Sequence, residues 1–226
     1  MQPKLISFDV FGTLIRVREG SYDAFASILR DVRGDAVEVK EFWEYWDRRI
    51  TVHYWEPYRR YREICAIALD ETFAHFDLHG DPALIGRYFD CFARFELYPD
   101  VASTLDRLAR MCRLAVVSNI DDDLFTATPL GRTFDLACTA ERARGYKPDG
   151  TLFRYLLAEA SSRFGVGRDD ILHCGQSQFT DMVGAKPLGL TVAWINRRGV
   201  TLDPNVPKPD YVFPDLAPVL SLVESL

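Results

Sequence analysis

Short apolar runs rich in β-branched residues alternate with helical segments through most of this chain, and no other feature narrows its fold as much. The run Leu5 to Phe11 reads as a buried strand closed by the Gly12-Thr13 turn. From about Pro99 the alternation is regular. A helix over Val101 to Met111 leads into a strand at Leu114 to Ser118, and a helix after Asp121 leads into Leu136 to Thr139. Further helices at Leu152 to Phe164 and Asp181 to Leu188 lead into strands at Ile171 to Cys174 and Thr191 to Ile195. Tyr211 to Phe213 reads as one more short strand before a closing helix. Strands separated by helices of this length imply an α/β fold, a Rossmann-like parallel sheet covered on both faces.

One stretch breaks the pattern. Between about Ser21 and Phe95 the spacing is helical (Tyr22, Phe25, Ala26, Leu29, then Phe42, Trp43, Trp46, Ile50) with little strand signal. It is read as a helical domain inserted after the first strand. The expected division is a core of residues 1–16 and 97–226 and an insertion of residues 17–96. With 27 Lys and Arg against 33 Asp and Glu, net −6, the chain is ill suited to nucleic acid or an anionic membrane face. No window carries the ~20 apolar residues of a spanning helix, and the first residues lack a secretory pattern, so the expectation is a cytoplasmic protein. The five cysteines, Cys65, Cys91, Cys112, Cys138 and Cys174, show no Cys-x-x-Cys pair and read as reduced, buried thiols. The aromatic content leaves room for an apolar surface patch, and with it a homodimer.

In an open parallel sheet, ligands bind beyond the carboxyl ends of the strands. The residues there are Asp9 after the first strand, Ser118 and Asn119 after the second, and Gln176 to Asp181 after a later one; Lys147 lies in a loop before a helix. Taken singly, each has a bland reading: an Asp at a strand end caps a turn, a Ser-Asn pair turns the chain, a lone Lys is solvated. Their joint order is far more specific.

The segments FDVFGTL (Phe8 to Leu14), VVSN (Val116 to Asn119), YKPDGTLF (Tyr146 to Phe153) and GQSQFTDMVGAKPLGL (Gly175 to Leu190) resemble, in order, the four motifs of the haloacid dehalogenase-like hydrolases. The likeness spans essentially the whole chain. The helical insertion stands where that superfamily carries its cap domain, and the aromatic Phe11 two places after Asp9 resembles the 2-haloacid dehalogenase branch. The resemblance implies Asp9 as nucleophile, with Thr13, Lys147 and Asp181 around it. A carboxylate held at a strand end and partly desolvated can attack an electrophile and form an ester. Lys147 would keep Asp9 ionised. Ser118 and Asn119 are neutral donors for a substrate carboxylate. Phe11, Ser177 and Gln178 complete the expected substrate-binding set.

Departures from the superfamily's phosphatases favour carbon–halide chemistry. Those enzymes use a second Asp, two residues after the nucleophile, to protonate a leaving oxygen; Phe11 transfers no proton, and a halide needs none. An acidic pair in the last motif would hold Mg²⁺, but here its first member is Gln176. The expectation is therefore metal-independent hydrolysis of a small haloacid without a cofactor. Were Mg²⁺ bound, Asp9, Asp181 and the backbone carbonyl at Phe11 would hold it, and the chain would be a phosphatase or phosphonate-processing enzyme. Gln176 and Gln178 also depart from the dehalogenase pattern, as do Ile120 and Asp121, which keeps open another activated acid with a carbon–nitrogen bond, or an idle scaffold. Dehalogenases supply an Arg from the cap. Arg48, beside Trp46, is chosen over Arg49, Arg59, Arg60 and Arg62 because a pocket wall needs apolar contacts beside its charge. Trp43, Trp46, Tyr54 and Trp55 are expected to pack rather than line the pocket, and His173 to be a satisfied core histidine.

Overall fold

A computed structural model describes residues 2–225; Met1 and Leu226, the outer limits expected for the core, lie outside them. Strands β1 (Leu5–Phe8), β2 (Arg113–Ser118), β3 (Leu136–Thr139), β4 (Ile171–Gly175), β5 (Thr191–Ile195) and β6 (Tyr211–Phe213) form one parallel sheet in the order β3-β2-β1-β4-β5-β6. All four residues of β1 are buried, as the central strand of a doubly covered sheet requires. Successive side chains alternate between faces. Ile6 and Phe8 join a core under helices α5 (Val101–Leu108) and α10 (Ala217–Ser225). Leu5, Ala115, Val117 and Val192 join a second core under α8 (Thr151–Phe164).

Because β1 has β2 on one side and β4 on the other, its carboxyl end is where the strand order reverses and a crevice opens. The first strand is shorter than its apolar run suggests. It stops at Phe8, and the Val10 carbonyl then accepts from the Leu14 and Ile15 amides, folding Val10 to Ile15 into a tight turn. Val10, Leu14 and Ile15 of that turn fill core space rather than extend the sheet. The segment expected as one helix over Asp181 to Leu188 is broken. It runs as a wide π-helical turn (Gln178–Met182), a single turn α9 (Val183–Ala185) and a 3₁₀ turn over Lys186–Leu188, because Gly184 and Pro187 both weaken a continuous helix.

Between β1 and β2 the chain is helical: α1 (Val17–Asp31), α2 (Val39–His53), α3 (Tyr61–His75) and the short α4 (Gly86–Phe89). It leaves and returns through a narrow neck, where the Arg16 amide donates to the Glu96 carbonyl at 2.9 Å and the Tyr98 amide to the Leu14 carbonyl at 3.0 Å. Aromatic contacts knit the helices: Phe25 lies 4.7 Å from Trp46 between ring centres, and Trp46 lies 4.9 Å from Tyr88. The five thiols are free; Cys112 alone of them is partly exposed. No helix among the described residues is long and apolar enough to cross a membrane.

Candidate active site

A cleft of about 960 Å³ opens above the carboxyl ends of β1, β2 and β4, with α2 along its opposite wall. Asp9 lies on its floor, one residue past β1 and 7% exposed. One carboxylate oxygen of Asp9, Oδ2, accepts from the Thr13 hydroxyl at 2.6 Å, and the other, Oδ1, accepts from the Lys147 ammonium. Thr13 itself accepts from the Gln176 amide at 2.9 Å. The turn after β1 is thereby tied to the residue after β4.

Lys147 is 1% exposed, an unusual place for an ammonium unless it is paired. Its Nζ also donates to Asp181 Oδ1 at 2.8 Å. Burial opposes the Lys147 charge, but the two carboxylates outweigh it and raise the pKa. Asp181 is fully buried, yet Lys147 and then His173 overcome that burial and pull its carboxyl down to about 2. For Asp9 the balance tips the other way: burial raises its pKa, and Lys147 only partly offsets this. A carboxylate whose charge is poorly solvated but held by one ammonium is chemically able to attack an electrophile brought into the cleft.

Asp181 does not face the cleft. It stands behind Lys147, with Oδ2 accepting from the Ser177 amide at 2.9 Å. Gly175 makes this possible, since a Cβ there would overlap the Asp181 carboxylate. His173 is satisfied, as expected of a core histidine, but one of its partners belongs to the site. Nε2 lies 3.2 Å from Asp181 Oδ1 and Nδ1 lies 3.0 Å from the Ser7 hydroxyl, its register partner on β1.

The cleft brings together Asp9, Phe11, Arg48, Ser118, Asn119, Lys147 and Ser177. The buried Ser118 hydroxyl has no protein partner, so its donor is free for a ligand. Asn119 Oδ1 accepts from the Lys147 amide at 2.9 Å and locks that loop to the end of β2. Phe11 is anchored sideways, its ring centre 5.3 Å from Phe92 and 6.3 Å from Phe95. Gln178 is not brought to the cleft. Its amide donates to the Thr201 carbonyl at 2.9 Å and accepts from the Asp203 amide at 2.7 Å, clamping the loop after β5. The aromatic residues of α2 divide. Trp46 packs, its indole N–H donating to the Cys65 carbonyl at 3.1 Å, whereas Trp43, Tyr54 and Trp55 line the cleft, against the expectation that they only pack. Helical spacing shows that a face is apolar, not whether protein or a crevice lies against it.

Sequence reasoning missed Arg197. It donates to both oxygens of Asp100 at 3.0 and 2.9 Å and to the Thr13 carbonyl at 2.8 Å, and it lies 3.9 Å from the centre of the Tyr98 ring. It pins the Val10 to Ile15 turn to the neck of the helical segment. The Arg-Arg-Gly sequence after a strand was its only signal.

The donor set does not fit a magnesium ion. All four oxygens of Asp9 and Asp181 already accept from Lys147, Thr13 or Ser177, and position 11 offers no side-chain oxygen. Among the described residues no group of three or more His, Cys, Asp or Glu is placed to hold a metal.

A family model for haloacid dehalogenase-like hydrolases matches residues 3–189. The chain is 29% identical to haloacetate dehalogenase H-2 of Moraxella sp. (strain B), covering 96% of each chain. It is also 29% identical to the (S)-2-haloacid dehalogenase of Pseudomonas sp. (strain YL), covering 98% of this chain and 95% of the relative. The L-2-haloacid dehalogenase structure of Xanthobacter autotrophicus superposes with a TM-score of 0.81 at 24% identity over 99% of both chains, a likeness of fold. Motifs, sheet order and family match agree: this chain belongs to the haloacid dehalogenase-like hydrolases.

Proposed function

We propose that the chain is a hydrolytic dehalogenase of small 2-haloacids, working through an ester on Asp9 without a metal. The observation that carries this reading is the Asp9–Lys147–Asp181 array opening onto a cleft where Phe11 replaces a proton donor. An Asp9 oxygen attacks the carbon bearing the halogen, the carbon–halogen bond breaks, and the halide leaves with the bonding electrons. Configuration at that carbon inverts. Water then attacks the ester carbonyl carbon. The carbonyl-side C–O bond breaks, the released alkoxide takes one proton of that water, the other passes to solvent, and a 2-hydroxyacid leaves with the Asp9 carboxylate restored.

In this reading Asp9 is the catalytic nucleophile and Thr13 orients it. Lys147 keeps it ionised, and Asp181 positions Lys147. Ser118 and Asn119 face the substrate carboxylate, Phe11 and Ser177 wall the reacting carbon, and Arg48 supplies positive charge from α2 toward the departing halide. Residues 17–96 act as a cap over the core of residues 1–16 and 97–226. The small acid is the only partner the mechanism needs. The relatives are haloacetate and 2-haloacid dehalogenases by name, which supports the substrate class.

Single turnover in ¹⁸O water tests the covalent step: label is expected in the Asp9 carboxylate, and label passing straight into product overturns it. Halide release from 2-chloropropionate should persist in EDTA. EDTA-sensitive phosphate release from p-nitrophenyl phosphate, with no halide released from any 2-haloacid, would reject the dehalogenase reading.

A further inference from the structure

We propose that Arg198, in the loop after β5, is the cation that receives the substrate carboxylate, and that Gln176 positions it. The inference rests on the cleft being an acid-binding site, as above. At and just beneath the floor of the cleft two carboxylates stand against one ammonium: Asp9 on the floor, Lys147 beside it and Asp181 behind Lys147. An incoming carboxylate therefore meets net negative charge. Ser118 and Asn119 donate hydrogen bonds but bring no charge, so a further cation is required.

Besides Lys147, the basic side chains lining the cleft are Arg18, Arg48 and Arg198. Arg18 is paired with Glu44 at 3.0 Å and lies 5.0 Å from the centre of the Trp43 ring. Arg48, exposed like Arg198, has its guanidinium 5.7 Å from the Tyr45 ring centre and makes no side-chain hydrogen bond among the described residues. Arg198 forms no ion pair among the described residues, yet it is held in place. In the amide orientation that satisfies both partners, Gln176 Oε1 accepts from Arg198 Nε at 3.0 Å and from Nη2 at 2.9 Å. A guanidinium has five N–H donors, so about three remain for a ligand.

Gln176 reaches this position because the turn leaves it room. Its amide lies against Gly12, where a Cβ would come within 2.9 Å of the amide's terminal atom and where φ is +90°. Its backbone N–H donates to Thr13, which donates to Asp9, and its carbonyl accepts from the Trp194 indole at 2.9 Å. Arg198 thus connects to the nucleophile through Gln176 and Thr13, and the clamped Arg197 fixes its backbone next door. The charge is held uneasily. Partial desolvation by the cleft wall and the neighbouring Arg18 pull the Arg198 pKa below its ordinary value, only partly countered by Asp47. An anion laid beside it relieves that imbalance. The glutamine in the last motif, a departure from the dehalogenase pattern, becomes the positioning residue for a charge that the pattern does not place here.

Calorimetric binding of propionate, an unreactive acid, tests this without turnover. Arg198→Gln should weaken propionate on the order of tenfold, and more than Arg48→Gln does, with Arg198→Lys between wild type and Arg198→Gln. Propionamide, which has no charge, should bind both forms alike, and melting curves of the variants should match wild type because the side chain sits at a loop surface. Propionate binding by Arg198→Gln within a factor of about three of wild type, a larger loss in Arg48→Gln, or no propionate binding by wild type overturns the proposal. Halide release is read on the same preparations. Its absence with intact propionate binding rejects the dehalogenase reading and leaves the role of Arg198 standing.

Discussion

Replacing Lys147 with methionine keeps an unbranched stem and deletes its charge, which isolates what the ammonium does. The group is 1% exposed and stands between Asp9 and the fully buried Asp181. Removing one partner from a buried ion pair costs about 3–5 kcal/mol, because the charge left behind has no compensation. Here two carboxylates lose the same partner, which places the loss near 5 kcal/mol, or a melting temperature roughly 10–20 °C lower for a chain of this length. The sign of the pH dependence follows. Without the ammonium, burial raises the Asp9 pKa further above its unfolded value, so the penalty is full near neutrality and shrinks as pH falls toward about 4. Urea unfolding of both proteins, followed by tryptophan fluorescence at about pH 7.5 and 5, measures this. Adding Asp181→Asn to Lys147→Met removes one stranded charge and should restore about 2 kcal/mol, a coupling that additive effects would not show. A Lys147→Met protein within about 1 kcal/mol of wild type, or a deficit unchanged by pH, refutes the claim that this buried array is held by charge.

Arg197→Ala should cost about 2–3 kcal/mol in urea unfolding, since Asp100, whose carboxyl burial would raise but Arg197 holds down, loses two charged hydrogen bonds and keeps the Leu216 amide. Phe11→Asp should lose about 1–3 kcal/mol from its two aromatic contacts, and should gain no magnesium-dependent release of phosphate from p-nitrophenyl phosphate because the neighbouring carboxylate oxygens are already engaged. Solvent reaches Asp47, but the protein walls around it push its carboxyl up to about 6 against the pull of Arg18, Arg198 and Arg48. Above that pH its anion competes for Arg198, so acid affinity should fall as pH rises through about 6, and calorimetry on Asp47→Asn should show that step abolished.

What could be read from the residues and what could not divide along one physical line. The strands at Leu136–Thr139 and Thr191–Ile195 fall where their apolar runs put them, because a doubly covered sheet leaves little freedom about which residues are buried, and the edge strand Tyr211–Phe213 falls where expected although Val212 is exposed. Asp9, Ser118 and Asn119 were legible for a related reason: the end of a strand is a fixed place, and polar residues there have few other duties. Side-chain direction was not legible. Asp181 matched its motif, yet it lies behind Lys147, and Gln178, two residues from Gln176, turns instead to Thr201 and Asp203. The loop at Thr201 to Asp203 holds Gln178, and the wide π-helical turn over Gln178–Met182 takes Asp181 off the period of the continuous helix that sequence reasoning assumes. The α2 aromatics follow the same logic. Trp43 and Trp46 are both buried, but one borders the cleft and the other fills the helical core with its indole bonded to the Cys65 carbonyl on α3. Chemistry in this chain is therefore encoded at strand ends, while selectivity is encoded in the loops and the helical face that meet them. Gln176 and Arg198 come from two such segments far apart in sequence, and they become one unit only when β4 and β5 lie side by side.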